Sequence, residues 1–391
     1  MALVGPRRSP GASCFARKRC DAGALCVPSL LNRLMQAAPS TATADVPQVV
    51  VQKKSGFIVN PAYDCIFFIF SPLLALFMGM AISGTPLSEN KVVVWGHDGS
   101  VTNIFIGAFI FAHLVIVFFR SHGNQNIFKL YPVRFTVVPI ALLVAMVMSR
   151  WVLISVSVLA IWWDVYHSSL QTFGLGRIYD MRAGNDPQAG RRLDFLLNLL
   201  LYAGPIFAGA VLVDHIESFT KFSEFGDVFL THIPAYAENN QRYLTWGVLG
   251  FGGAFLCYYL YANWRLVQQG HQISTQKVLL YAATGACSIY SWGFNTFGEA
   301  FFIMNFFHAF QYFALVWWSE KKTMLNLFHL GSIRWGKPIA LVLFLVLGLG
   351  YGLWAEVSEN QSTFALSVVL VVSIMHFWYD GFIWSVRKKQ I

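Results

Sequence analysis

Apolar segments of about 20 residues recur along the chain from residue 64 onward, and shorter polar stretches separate them. A helix needs about 20 apolar residues to cross the hydrocarbon core of a bilayer. The pattern therefore predicts an all-α fold, a polytopic transmembrane helical bundle of about ten spans. The expected spans are 64–83, 101–119, 133–149, 151–171, 194–213, 243–263, 277–296, 299–318, 338–355 and 364–384.

The polar stretches alternate in charge, and this alternation predicts the topology. One set of loops is basic and the other is richer in acids, so the positive-inside rule places the basic set and both termini in the cytoplasm. Only the short turn at Arg150 departs from the alternation. The basic loops are Arg120–Arg134, Arg177–Arg192, Arg265–Lys277 and Lys321–Lys337, and the acidic ones are Glu89–Asp98, Asp214–Glu238 and Glu356–Glu359.

Composition agrees with a membrane protein. The chain has 391 residues, of which 56% are hydrophobic and 12% charged, with a mean hydropathy of +0.54. Soluble domains carry roughly 25% charged residues, so most of this surface is expected to face the lipid bilayer. The net charge of +9 comes from basic loops between spans and does not indicate nucleic-acid binding. The six cysteines form no C-x-x-C pair, which disfavours a disulfide framework or zinc ribbon.

The first 50 residues differ from the rest, because they are basic and rich in Ala, Ser and Pro. We expect residues 1–50 to be disordered and residues 51–391 to form the transmembrane domain. The segment resembles a transit peptide in composition, but we favour a misplaced start codon, with translation beginning at Met35. The expected location is then a bacterial inner membrane, or an organellar membrane if the segment is a transit peptide.

Four histidines lie inside predicted spans: His113, His167, His308 and His376. They fall between 7 and 13 residues before the first cytoplasmic basic residue of their helix. With a rise of 1.5 Å per residue, this spacing places them within about 9 Å of one another in depth. Ionisable groups inside a membrane usually mark a site, so we expect these histidines to be the ligands of one metal site. The histidines of the loops are expected to be solvated, and these are His97, His215, His232, His271 and His329.

Further polar residues accompany the four histidines at helical spacing. Asp164 lies three residues before His167, and Asp380 lies four residues after His376, so each shares a helix face with its histidine. The additional candidates for metal binding or for orienting the ligands are His122, Asp164, Glu299 and Asp380. The candidate catalytic residues are Tyr312 and Gln171, each four residues after a histidine. We expect Asp64 and Arg120 to be ordinary interface residues.

Two segments resemble the Brp/Blh family of integral-membrane β-carotene dioxygenases. They are FFHAFQYFALVWWSEKK around His308 and MHFWYDGFIW around His376, about a tenth of the chain. The resemblance implies a helical bundle with a four-histidine iron site. It implies ligand roles for His308 and His376 by motif, and for His113 and His167 by helix order. Tyr312 stands where that family has a second histidine.

Histidines with carboxylates and without thiolates suit iron, copper or zinc. The resemblance selects iron and oxygen chemistry among these, and implies a non-haem Fe(2+) oxidoreductase, of dioxygenase, hydroxylase or desaturase type, acting on a lipophilic substrate. The chain has no dinucleotide-binding fingerprint, so any reducing equivalents would come from a separate electron-donor protein. Two alternatives remain open: a haem protein with two of these histidines as axial ligands, and a proton-coupled transporter that uses the His and Asp groups as a relay.

Overall fold

The computed structural model describes residues 56–225 and 235–384, and most of them are helical. The basic segment 1–50 and His232 lie outside these residues, so the expectations for them stay predictions. In chain order the helices are α1 (Pro61–Asp64), α2 (Ser71–Ile82), α3 (Pro86–Glu89), α4 (Val101–Val115), α5 (Val117–Ser121), α6 (Gln125–Phe128), α7 (Pro132–Met148), α8 (Arg150–Arg182), α9 (Arg191–Ala208), α10 (Leu212–Glu217), α11 (Gln241–Gln268), α12 (Thr275–Phe294), α13 (Phe297–Leu327), α14 (Gly336–Ser358) and α15 (Thr363–Ile383).

Short irregular elements connect some of these helices. A π-helical turn, Cys65–Ile69, joins α1 to α2, and a 3₁₀ segment, Ser218–Phe225, follows α10. The predicted acidic loop after α3 holds a two-stranded antiparallel hairpin of β1 (Lys91–Val94) and β2 (His97–Ser100). Trp95 and Gly96 make its turn with φ angles of 50° and 83°, the left-handed geometry that suits the twist of a two-residue hairpin.

The all-α class is confirmed. Six helical segments are long and apolar enough to cross a membrane, and the count reaches eight if each of two bent helix pairs is one span. The six are Val101–Ser121, Arg150–Arg182, Gln241–Gln268, Phe297–Leu327, Gly336–Ser358 and Thr363–Ile383. The two remaining predicted spans coincide with α7, which has only 17 residues, and with α12, a 20-residue helix that includes several polar side chains.

Four helices form the centre of the bundle. The share of residues that are buried, taken over the apolar part of each candidate span, is 78% for α13, 61% for α15, 50% for the α4–α5 segment and 44% for α8. It is only 28% for α14 and 6% for α11. A span that is apolar all round needs helical neighbours on several sides to be buried in this way. These four central helices are the ones that carry His113, His167, His308 and His376.

Helix α14 holds α4 in place through a very close contact. A Cβ atom added to Gly352 would lie 1.9 Å from the carbonyl oxygen of Ala108. Only glycine therefore lets the two backbones approach this closely, as small residues do at membrane helix interfaces. The contact lies about one turn from His113 and fixes the depth of that histidine against its neighbours.

A buried group of four charges, the ion cluster, joins α8, α9 and α12 near the ends of the bundle. Arg177 contacts Asp180 at 2.6 Å and Asp194 at 2.5 Å, and Lys277 contacts the same carboxylates at 2.7 and 3.3 Å. All four side chains are buried. The charge pattern placed Arg177 and Lys277 in basic loops, whereas both belong to helices and are neutralised by buried partners.

Candidate metal centre

The four central helices bring His113, His167, His308 and His376 together; we call them the histidine cluster. Serine caps set the start of three of these helices: the hydroxyls of Ser100, Ser149 and Ser362 accept backbone hydrogen bonds from the first turns of α4, α8 and α15. The four imidazoles are buried, none with more than 3% of the residue exposed.

The imidazoles form a closed ring. Consecutive ring centroids lie 5.1 Å apart for His113 and His308, 5.0 Å for His308 and His167, 4.8 Å for His167 and His376, and 5.0 Å for His376 and His113. The interplanar angles run from 70° to 86°. Neighbouring rings are therefore close to perpendicular, and one ligand nitrogen each from His113, His308 and His376 lies within 4.8 Å of the other two.

Backbone carbonyls fix the proton on two of the rings. His113 Nδ1 donates to the carbonyl of Ile110, and His376 Nδ1 donates to the carbonyl of Leu114 at 3.2 Å. Because a carbonyl can only accept, the Nε2 atoms of both histidines are left as acceptors. Such an Nδ1 hydrogen bond is the usual support of a metal-binding histidine. The carbonyl of Leu114 lies just before the break between α4 and α5 at Ile116.

The remaining nitrogens lack ordinary partners. Within the described part of the chain, neither ring nitrogen of His308 nor Nε2 of His113 has a hydrogen-bond partner. Nε2 of His167 lies 3.1 Å from Nε2 of His376. Buried polar nitrogens without partners are costly, and two imidazole nitrogens facing each other at this distance need a shared proton or a shared ion.

The nitrogen positions suit a metal ion. One ligand atom each from His113, His308 and His376 lie within 4.8 Å of one another, and so do those of His167, His376 and Asp380. With metal–nitrogen bonds of about 2.0–2.1 Å, two ligands at a tetrahedral or octahedral edge are about 2.9–3.4 Å apart. The 3.1 Å separation of His167 and His376 is such an edge. His376 belongs to both groups of three.

Asp380 faces the edge formed by His167 and His376. Its Oδ2 lies 3.8 Å from Nε2 of each histidine, while Oδ1 accepts hydrogen bonds from Tyr312 at 2.7 Å and Trp384 at 2.9 Å. The carboxylate is therefore held in one orientation, with its second oxygen turned to the cluster. As an acceptor beside ligand imidazoles it can orient them or bind the ion itself.

Gln171 and Asp164 occupy the next layer. The Gln171 Nε2 donates to the carbonyl of His308 at 3.1 Å and to Gln311 Oε1 at 2.9 Å. These hydrogen bonds connect α8 to the turn of α13 that carries His308. Asp164, one turn before His167, pairs with Asn305 instead of reaching the cluster.

His122 and Glu299, two further predicted site residues, also lie outside the cluster. His122 uses both nitrogens elsewhere, with Nδ1 at 2.9 Å from Ser121 Oγ and Nε2 donating to the carbonyl of Phe135 at 2.9 Å. Burial among aromatic rings lowers its pKa and keeps it neutral for these bonds. Glu299 is exposed at the start of α13 and accepts from Ser83 and Thr296. Nine residues of helix, about 13 Å, separate it from His308.

The expectation of a solvated His215 was wrong. This histidine is buried on α10, donates to the carbonyl of Val211 at 2.9 Å, and packs against Trp292 and Phe297. The bend of 96° between α9 and the following segment turns it inward, which a span pattern does not reveal.

Asp64 and Arg120 are likewise buried rather than interfacial. Asp64 accepts from the backbone of Ile58 at 2.6 Å and from the hydroxyl of Tyr179 at 3.0 Å. Arg120 pairs with Glu320 at 2.5 Å and lies over the Trp384 ring at 3.8 Å. Arg120 therefore supports the tryptophan that holds Asp380.

A small cavity of about 110 Å³ adjoins the cluster at the His167 and Asp380 edge. Tyr312, Gln171 and Trp384 also line it, and its other walls are largely apolar. The cavity continues toward the ends of α8 and α15 that carry Gly174 and Gly381.

Comparison with known proteins adds no relative: the chain matches no protein-family model, no curated protein and no solved structure.

Proposed function

We propose that this chain is a membrane-embedded, histidine-ligated non-haem iron oxidoreductase that acts on a lipophilic substrate. The observation that carries the proposal is the ring of four buried imidazoles, several of whose nitrogens have no other use within the described residues. Metal binding would satisfy these nitrogens at once. The proposed ligands are His113, His167, His308 and His376, with Asp380 as an orienting carboxylate or a further ligand.

The donor set is compatible with iron. It consists of imidazoles and one carboxylate, and no cysteine belongs to either candidate group of ligands. Three or four protein ligands leave positions open on an ion that accepts six, which redox chemistry with oxygen requires. The resemblance to the Brp/Blh family supports the same chemistry, of dioxygenase, hydroxylase or desaturase type. Tyr312 and Gln171 act in this proposal as positioning residues. Tyr312 donates a hydrogen bond to Asp380, and Gln171 donates one to the backbone carbonyl of His308.

The surroundings favour a lipophilic substrate. Several helices are long and apolar enough to span a membrane, and the cluster lies on the most buried of them, away from bulk water. We further propose ten spans with both termini in the cytoplasm, in a bacterial inner membrane, and a separate protein as electron donor.

The geometry disfavours a haem held between His167 and His376. Two histidines that ligate one haem iron from opposite faces are roughly 4 Å apart, twice a metal–nitrogen bond, with the macrocycle between them. Here His167 and His376 approach to 3.1 Å. The adjoining cavity of about 110 Å³ is also far below the roughly 300–1,000 Å³ of pockets for ligands of that size.

Elemental analysis of the purified protein, with an optical spectrum, tests the proposal. We expect one or two irons per chain without a Soret band, and their loss in the double variant His167→Ala/His308→Ala. His215→Ala is the matched control, since it also removes a buried histidine but leaves the cluster intact. Metal-free protein after reconstitution, or equal iron in the double variant, would overturn the proposal.

A further inference from the structure

The cavity beside Asp380 bears on what reaches the proposed metal, and the inference rests on the proposed function. Its polar wall is formed by His167, Gln171, Tyr312 and Asp380, and it lies against the edge that His167 and His376 present. His167 of the histidine cluster and the neighbouring Asp380 both line this cavity.

Two glycines, one on each helix that flanks the cavity, lie where the cavity opens to the surface. A Cβ atom added to Gly174 on α8 or to Gly381 on α15 would meet no atom within 4 Å, so both glycines border empty space. Gly381 is exposed at the surface of the bundle. The cavity therefore extends from the cluster to the surface between α8 and α15, with no side chain at these two points to close it.

The walls define the chemistry of the occupant. Leu170, Ile178, Leu315 and Phe377 line the sides, and they offer no group to bind a polar molecule along its length. The volume of about 110 Å³ admits only part of a ligand, since whole ligands of drug size need roughly 300–1,000 Å³. A narrow apolar passage with a polar inner end fits an extended hydrocarbon better than a ring system.

We propose that this cavity is the substrate channel, and that it admits a slender hydrocarbon chain of a lipid-soluble substrate, which passes Gly381 and Gly174 to reach the open metal position. The two glycines then set the specificity, because a larger side chain at either would occupy the space of the chain.

The test uses the full-length protein loaded with cobalt(II), whose visible spectrum reports ligands on the metal. The detergent is CHAPS, which is steroid-based and has no alkyl chain to compete. Azide is titrated alone, in the presence of hexadecan-1-ol, and in the presence of 1-adamantaneethanol. We expect hexadecan-1-ol to weaken azide binding at least about tenfold and the bulky adamantane alcohol to have no effect.

Glycine variants locate the channel. Gly174→Leu should keep its cobalt yet bind azide at least about tenfold more weakly than the wild type, whereas Gly174→Ala should bind it nearly as well. Gly253→Leu is the matched control, because Gly253 is an exposed glycine on α11 with no atom within 4 Å of an added Cβ. If Gly174→Leu does not fold, Gly381→Leu at the mouth carries the same test.

The outcomes separate this inference from the proposed function. Cobalt retained in Gly174→Leu with wild-type azide affinity, or hexadecan-1-ol without effect on the wild type, would overturn the channel and leave the metal site standing. A wild-type protein that holds no cobalt would overturn the metal site itself, and the channel with it.

Discussion

Replacing Tyr312 with phenylalanine removes the hydrogen bond that Tyr312 donates to Asp380 while keeping the aromatic ring that packs in the core. Tyr312 is fully buried, so phenylalanine fills the same space and leaves no cavity. The only loss is the hydrogen bond of 2.7 Å from its hydroxyl to Asp380 Oδ1. Asp380 then keeps the Trp384 indole as donor, at 2.9 Å, but is free to turn its second oxygen away from His167 and His376.

The expected loss of metal affinity in Tyr312→Phe can be estimated because the acceptor of the lost hydrogen bond is the carboxylate of Asp380. A hydrogen bond to a charged group contributes about 1.5–3 kcal/mol, which corresponds to roughly 10- to 150-fold in an equilibrium constant. Loss of a residue that orients metal ligands costs about 10–100-fold in metal affinity. The two estimates overlap, so we expect Tyr312→Phe to weaken metal binding by about 10–100-fold while the fold is kept.

Competition with a chelator of known affinity, followed by cobalt absorption, measures this change. Tyr179→Phe is the matched control, because Tyr179 is also fully buried and donates to a buried carboxylate, Asp64, at 3.0 Å, away from the cluster. Both variants should unfold at lower temperature, but only Tyr312→Phe should lose metal affinity. Equal metal affinity in the wild type and Tyr312→Phe would refute the role of the Tyr312–Asp380 bond.

Three further outcomes are expected. Gly352→Leu should lower the unfolding temperature in detergent, because the new side chain forces α14 away from Ala108 at a cost of about 1–3 kcal/mol or more. Gly350→Leu is the control and should leave the unfolding temperature unchanged, since an added Cβ there has no atom within 4 Å. Arg120→Met should destabilise the protein by about 3–5 kcal/mol, because the buried Glu320 loses its only positively charged partner among the described residues. Adding Glu320→Leu should recover much of this loss in a thermal unfolding assay. Removing the metal with a chelator should lower stability by about 2.7 kcal/mol relative to protein with metal at 100 times its dissociation constant, and an unchanged melting curve would contradict metal binding to the folded state.

The helical positions and the meeting of the four histidines were readable from the sequence. The length of an apolar segment predicts where a helix lies, and the uniform rise of a helix converts the distance from the basic residues at its end into a position along the bundle. Four imidazoles at a matched depth on four helices could then be expected to converge. The pairing of Asp380 with His376 followed from their spacing of four residues.

The predictions failed for residues whose position depends on the direction of a side chain or on a bend between helices. His122 and Glu299 share helical segments with cluster residues, yet one turns to the carbonyl of Phe135 and the other remains at the helix start. His215 became buried through the bend after α9. The ion pair of Arg120 with Glu320 joins positions 200 residues apart, and one sequence contains no signal that selects such a partner.

The ion cluster sets an order for the assembly of the bundle. The hairpin of α8 and α9 brings Arg177 together with Asp180 and Asp194, so it carries one uncompensated negative charge until Lys277 arrives on α12. Lys277 is synthesised 83 residues after Asp194, and a buried charge that lacks its partner is costly. Helix α12 therefore neutralises the charge of this part of the protein, so the hairpin of α8 and α9 completes its buried ion pairs only after α12 has been synthesised.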